Sequence, residues 1–133
     1  MQAVRFIKIA AVALVAVAAS AGAGWAFDEK PFDAKAFATA QDAGKPILVD
    51  AFAPWCPVCK AQQQVLGELK QNPKYNDVTV FKIDYDNQPD ALKSFDVRRQ
   101  STLIAFKGKT ETGRSVGDTK PASIAALIDS TLN

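Results

Sequence analysis

Ile47-Leu48-Val49-Asp50-Ala51-Phe52-Ala53 is apolar at every position except Asp50. A run with no polar face must be covered on both sides, so it reads as the central strand of a sheet that carries helices on both faces. The flanking segments fit that demand. The pattern predicts a helix over 33–43, with Asp33 as N-cap, Gly44 as its left-handed C-terminal residue and Pro46 preventing continuation. A second helix is predicted over 56–71, with Val65, Leu66 and Leu69 on one face and Pro73 beyond its end. Val78–Ile83 and Thr102–Phe106 read as further buried strands, separated by a helix around 88–95 that presents Ala91, Leu92 and Phe95. Lys107-Gly108-Lys109 turns into a more polar strand at 110–116, and Pro121 opens a last helix with Ile124, Leu127, Ile128 and Leu132 as its stripe. The order α-β-α-β-α-β-β-α predicts an α/β fold: a mixed sheet of about four strands flanked by helices on both faces.

Charge divides the chain in two. Residues 1–26 hold Arg5 and Lys8 and no acid, so the other 14 of the 16 basic residues share residues 27–133 with all 14 acids. That near-neutral domain offers no basic face, which argues against nucleic-acid binding. The leader has a basic start, an apolar run over Ile9–Ala19 and small residues through Ala26. This is the composition of a secretory signal peptide, with cleavage expected after Ala26 or after Ala23. An uncleaved N-terminal membrane anchor is the alternative, disfavoured because Ala and Gly insert weakly into lipid. Residues 27–133 are therefore expected as one exported domain, in the periplasm, where disulfides persist.

The chain has no histidine and two cysteines. His-based triads and His-ligated metals are excluded. Cys56 and Cys59 are too few for a disulfide scaffold or a four-thiolate site, and no metal site is expected. Their position is informative, because Trp55-Cys56-Pro57-Val58-Cys59-Lys60 lies where a buried strand meets a helix start. Free amide N–H groups and the positive end of the helix dipole favour a thiolate on Cys56, the species that attacks disulfides. Cys59, one turn inside the helix and less exposed, can resolve the resulting mixed disulfide. A disulfide across so short a loop contributes little as a staple. Asp50 is an acid in a buried strand, which calls for a shifted pKa or a partner, and Lys82 is the lone cation in its own strand. Trp55 is placed to shield the pair and to contact partners, with a plain packing aromatic as the alternative.

Val49-Asp50-Ala51-Phe52-Ala53-Pro54-Trp55-Cys56-Pro57-Val58-Cys59-Lys60 resembles the active-site segment of the thioredoxin family. Val80-Phe81-Lys82-Ile83-Asp84, Phe95-Asp96-Val97-Arg98, Thr102-Leu103-Ile104-Ala105-Phe106-Lys107-Gly108 and Val116-Gly117 follow in the family's order, so the likeness covers most of residues 33–132. It implies a thioredoxin-like fold and thiol–disulfide oxidoreductase activity, with Cys56 as nucleophile and Cys59 as resolving thiol. It also implies that Asp50 and Lys82 form a buried acid–base pair that helps deprotonate Cys59. The expected substrate contacts are Trp55, Pro57, Gln100 and Ser101.

Two departures matter. Thioredoxins place a cis-proline before the Thr-Leu of the strand facing the dithiol, and here Ser101 stands there, after Gln100. A cis bond before a non-proline residue costs about 2.5–4 kcal/mol, so a trans Gln100–Ser101 bond is expected, with a hydroxyl free to bond a thiolate or a substrate backbone. In the family that proline also grips substrates and discourages metal binding at the dithiol. Between the cysteines stands Pro57-Val58, neither the Gly-Pro of cytosolic thioredoxins nor the Pro-His of strong periplasmic oxidants. With no imidazolium beside Cys56, a strongly oxidising potential is disfavoured. The expected function is reduction of protein disulfides by a monomer that needs no cofactor beyond its Cys56–Cys59 disulfide and is recharged by a membrane thiol-electron transporter. The rival readings are a disulfide oxidase or isomerase and, less favoured, a metal- or iron–sulfur-binding module that pools two dithiols across a dimer.

Overall fold

The computed structural model describes residues 27–133; the leader and its cleavage site lie outside the described residues. Strands β1 (Asp28–Pro31), β2 (Pro46–Phe52), β3 (Thr79–Asp84), β4 (Thr102–Lys107) and β5 (Thr110–Val116) alternate with helices α1 (Ala34–Asp42), α2 (Pro57–Leu69), α3 (Pro89–Ser94) and α4 (Pro121–Asp129). The strands form one sheet in the order β1-β3-β2-β4-β5. β2 lies at its centre, parallel to β3 and antiparallel to β4.

The alternation of β2 sorts the core into two layers. Leu48 joins Val80, Leu103 and Ala105 under Val65 and Leu66 of α2 and Ile124 and Ile128 of α4. Ile47 and Val49 join Phe81, Ile83, Ile104 and Phe106 under Phe37 and Ala40 of α1, with Ala91, Leu92 and Phe95 of the α3 region packed against them. Helices thus cover both faces, as the two-sided apolarity of β2 demands. The Asp33 carboxylate accepts from Ala36 N–H at 2.8 Å, capping α1 as expected.

The sheet has five strands rather than the expected four. The extra one, β1, pairs in parallel with β3, from Asp28 opposite Thr79 to Pro31 opposite Lys82. Asp28-Glu29-Lys30-Pro31 has no apolar alternation to mark a strand, because backbone pairing at the sheet edge, not burial, holds it. Pro31 is tolerated there since an edge strand has one unpaired side. A second difference concerns the last helix. α4 ends at Asp129, and Thr131 donates its hydroxyl back to Ile128 O, so Leu132 lies beyond the expected stripe and is exposed.

The β4–β5 turn is tight. Gly108 has φ +57°, and a Cβ there would sit 3.2 Å from Gly44 Cα and 3.3 Å from Gln41 O. Gly67, within α2, faces open space. Gly108→Ala is therefore expected to destabilise the domain by about 1–2 kcal/mol. Gly67→Ala should instead stabilise it by roughly 0.5–1 kcal/mol by removing backbone freedom from the unfolded chain. Urea unfolding midpoints of the two variants, displaced in opposite directions, check both statements.

Candidate active site

β2 delivers the chain through Ala53-Pro54-Trp55 to the start of α2, and Cys56 is the N-cap residue of that helix. Its backbone is extended (φ −86°, ψ 114°), and its Sγ accepts the Cys59 backbone N–H at 3.1 Å. Pro57 takes the first helical position, where a missing N–H costs least. A thiolate formed on Cys56 therefore finds an amide donor and the helix dipole already in place. The geometry differs from expectation in one respect: Cys56 is only 1% exposed, hardly more than Cys59. Both thiols sit in a small apolar cluster with Ala53, against Phe52 and Tyr85. Burial, joined by the hydrogen bond with Cys56, pushes the Cys59 thiol up to about 11. Cys59 thus remains protonated at neutral pH until a base removes its proton.

The acid of the central strand, Asp50, is fully buried on β2. Burial pushes its carboxyl up from 3.8 to about 6, while the hydrogen bond from Gln63 and the charge of Lys82 hold it down in part. Asp50 and Lys82 are register partners on β2 and β3, but the expected direct pair is not what forms. Gln63 lies between them. Its Nε2 donates to Asp50 Oδ2 at 2.7 Å, and its Oε1 accepts from Lys82 Nζ at 2.9 Å. Lys82 also sits 4.7 Å from the centre of the Phe52 ring. Asp50 Oδ1 is buried with no hydrogen-bond partner among the described residues.

Gln62 and Gln63 are functional-site residues that the sequence reading does not single out. The available signal was spacing: Gln62 and Gln63 lie three and four residues after Cys59, on the face that α2 turns to the sheet. Gln62 is fully buried in the same stripe as Val65 and Leu66. Its Nε2 donates to Ser101 O at 3.0 Å and to Asp118 O at 2.9 Å, fastening two loops to the helix.

Every peptide bond in the described residues is trans, the Gln100–Ser101 bond included. Ser101 is buried with φ +60°. Its N–H donates to Ala51 O at 2.8 Å, and its carbonyl accepts from Gly117 N–H at 3.0 Å as well as from Gln62. The hydroxyl expected to face a thiolate or substrate instead donates to Gln100 O, because the left-handed backbone turns it onto its own chain. Gln100 is half-buried and makes no side-chain hydrogen bond among the described residues. Trp55 is 57% exposed and stacks edge-on against Tyr85; its indole N–H donates to both carboxylate oxygens of Asp86 at 3.0 Å. Pro57 and Val58 are exposed beside it. A cleft of about 540 Å³ adjoins this side of the site, lined by Pro31, Phe52, Pro54, Lys82, Asp84 and Asp86 among others. Among the described residues, no three His, Cys, Asp or Glu side chains are grouped to hold a metal ion.

The family model for thioredoxin matches residues 28–130. The chain is 39% identical over 85 residues to a bifunctional thioredoxin reductase/thioredoxin of Mycobacterium leprae, covering 64% of this chain and 18% of that protein. It is 42% identical over 82 residues to a thioredoxin of Chlamydia muridarum, covering 62% of this chain and 78% of the relative. The crystal structure of Trxlp from Edwardsiella tarda superposes with a TM-score of 0.74 at 42% identity, covering 76% of this chain and 98% of that one. A dithiol at the N-terminus of a helix, on a five-stranded mixed sheet and with a family match across nearly the whole described domain, has one classification: the chain belongs to the thioredoxin family of thiol–disulfide oxidoreductases.

Proposed function

We propose that this protein is an exported reductase of protein disulfides, working in the periplasm through Cys56 and Cys59 and recharged by a membrane thiol-electron transporter. The observation that carries the reading is the Cys59 N–H aimed at Cys56 Sγ, with a buried carboxyl group held on the neighbouring strand. The Cys56 thiolate attacks one sulfur of a substrate disulfide; that S–S bond breaks, and the departing substrate thiolate takes a proton. Asp50 as carboxylate accepts the Cys59 proton, and the Cys59 thiolate attacks Cys56 Sγ. The mixed disulfide breaks, the second substrate sulfur leaves as a thiolate and takes up a proton, and the protein is left with an oxidised Cys56–Cys59 disulfide, having given two electrons to the substrate. The donor must return those two electrons. Export is supported by the leader composition, and the reducing direction by Val58 standing where an imidazolium would stabilise the thiolate further. Trp55, Pro57 and Gln100 are the proposed substrate contacts around the rim of the buried dithiol, with Ser101, itself buried, beneath Gln100 as the fourth.

Cys56→Ser should abolish insulin-disulfide reduction, and Cys59→Ser should accumulate mixed disulfides with substrate, visible on non-reducing gels. Faster oxidation of a reduced protein than reduction of insulin would assign the oxidase or isomerase reading instead. An undiminished Cys56→Ser variant would overturn the mechanism.

Asp50 gives a stability prediction with a definite sign. Below about pH 4 its carboxyl is protonated both folded and unfolded and makes no difference. As pH rises from 3.8 towards 6 the unfolded chain ionises while the folded one does not, so folded stability falls. Above pH 6 the accumulated loss is on the order of 3 kcal/mol. Asp50→Asn should therefore unfold at higher urea than the natural protein at pH 7, lose that advantage by pH 4, and reduce disulfides more slowly at pH 7, where the carboxylate is available as a base.

A further inference from the structure

Gln63 is not a spectator between two charged groups. Lys82 Nζ has only donors, so the amide oxygen of Gln63 must face it, at 2.9 Å. The amide NH₂ is thereby turned to Asp50, 2.7 Å from Oδ2. Oδ2 already accepts a donor, while Oδ1 has no partner among the described residues. Gln63 stands four residues after Cys59, one helical turn along α2, so the helix that carries both thiols also carries the amide that orients the carboxyl group. Lys82 is held aside over the Phe52 ring at the wall of the cleft.

We propose that Gln63 is a positioning residue: oriented by Lys82, it binds Asp50 Oδ2, leaves Oδ1 as the oxygen that takes the Cys59 proton, and transmits the influence of the Lys82 charge to that carboxyl group. This rests on the reading of Cys56 and Cys59 as the redox pair. The charged and titratable groups bearing on Asp50 are Lys82 from β3, Glu29 from β1 and Cys59 from α2. From β4 its register partner is apolar Leu103. Glu29 is itself paired with Lys70 at 3.4 Å. Among the described residues, Gln63 is the side chain hydrogen-bonded to both Asp50 and Lys82.

The test isolates the resolving step. Ellman's reagent, an aromatic disulfide, reacts with Cys56 to release one coloured thiolate; attack of Cys59 on the resulting mixed disulfide then releases a second. The rate of the second release is followed against pH in stopped flow. In Gln63→Met, which keeps length and packing but neither hydrogen bond, the midpoint of the profile should rise by about one pH unit, a roughly fivefold slower release at pH 6. Lys82→Met should also raise it, since it removes both a positive charge near Asp50 and the partner that orients the amide; the double variant should shift by less than the sum of the two single shifts, because both cut the Lys82–Gln63 link. An unmoved midpoint in Gln63→Met overturns the proposal, whatever happens to its stability. So do fully additive shifts, which would mean that Lys82 acts on Asp50 without the amide. Asp50→Asn should flatten the profile; if it does not, the carboxyl group is not the base and the role of Gln63 falls with it. A second release that persists in Cys59→Ser would instead sink the redox reading itself, a separate failure.

Discussion

A carboxyl group buried on the central strand is the constraint around which this site is arranged. Asp50 is completely enclosed, and one of its oxygens lacks any hydrogen-bond partner among the described residues. An isolated charge in such a place is strongly disfavoured, so the group stays protonated to a higher pH than an exposed acid. Its surroundings moderate the cost without removing it. Gln63 bonds one oxygen, and Lys82 supplies positive charge at one remove. A direct Asp50–Lys82 pair would hold the carboxylate ionised more firmly and make it a weaker base. The bridged arrangement leaves a carboxyl group at about 6, on the strand that leads into the Cys56–Cys59 segment.

The replacement of proline by serine at position 101 has a comparable structural answer. A left-handed serine costs on the order of 1 kcal/mol, and the strain persists only because neighbouring contacts determine it. Ala51 O, Gly117 N–H and Gln62 Nε2 all hold the Ser101 backbone, from β2, the end of β5 and α2 respectively. Gln62 is the component added from the helix. Its buried amide makes two bonds to loop carbonyls, and an apolar side chain at the same position would remove both, leaving Ser101 O with the Gly117 N–H alone. A trans peptide and a buried glutamine thus shape the loop by means other than a fixed proline ring.

The layering, the central strand, the dithiol and its helix start were all readable because each rests on a local pattern: two-sided apolarity, a cap residue, a proline, a Cys-x-x-Cys. β1 was not, since a short charged edge strand is held by backbone pairing to β3, and backbone pairing leaves no side-chain signature. Asp50 and Lys82 stood out as charges in apolar strands, yet their separation by Gln63 did not. Sequence marks which residues are out of place, whereas the length and orientation of a side chain on a third element decide how they meet. Asp86 escaped for the same reason: its bond to the Trp55 indole spans 31 positions of chain.

The reacting sulfur and the surface around it are separated. Cys56 and Cys59 are buried, whereas among the described residues Trp55, Val58 and Val116 are, with Leu132, the large apolar side chains left open to solvent. Trp55 and Val58 flank the dithiol along the chain. Val116 is paired with Thr102, and the adjoining Gly117 N–H bonds Ser101 O, which places it at the same end of the sheet. A small solute gains little from such a rim and still has to reach a covered sulfur. A protein segment can bury the rim and offset the ordering cost of approach with apolar contact. The same burial that raises the Cys59 thiol therefore also favours extended partners over small ones, so proton chemistry and partner choice share one physical origin.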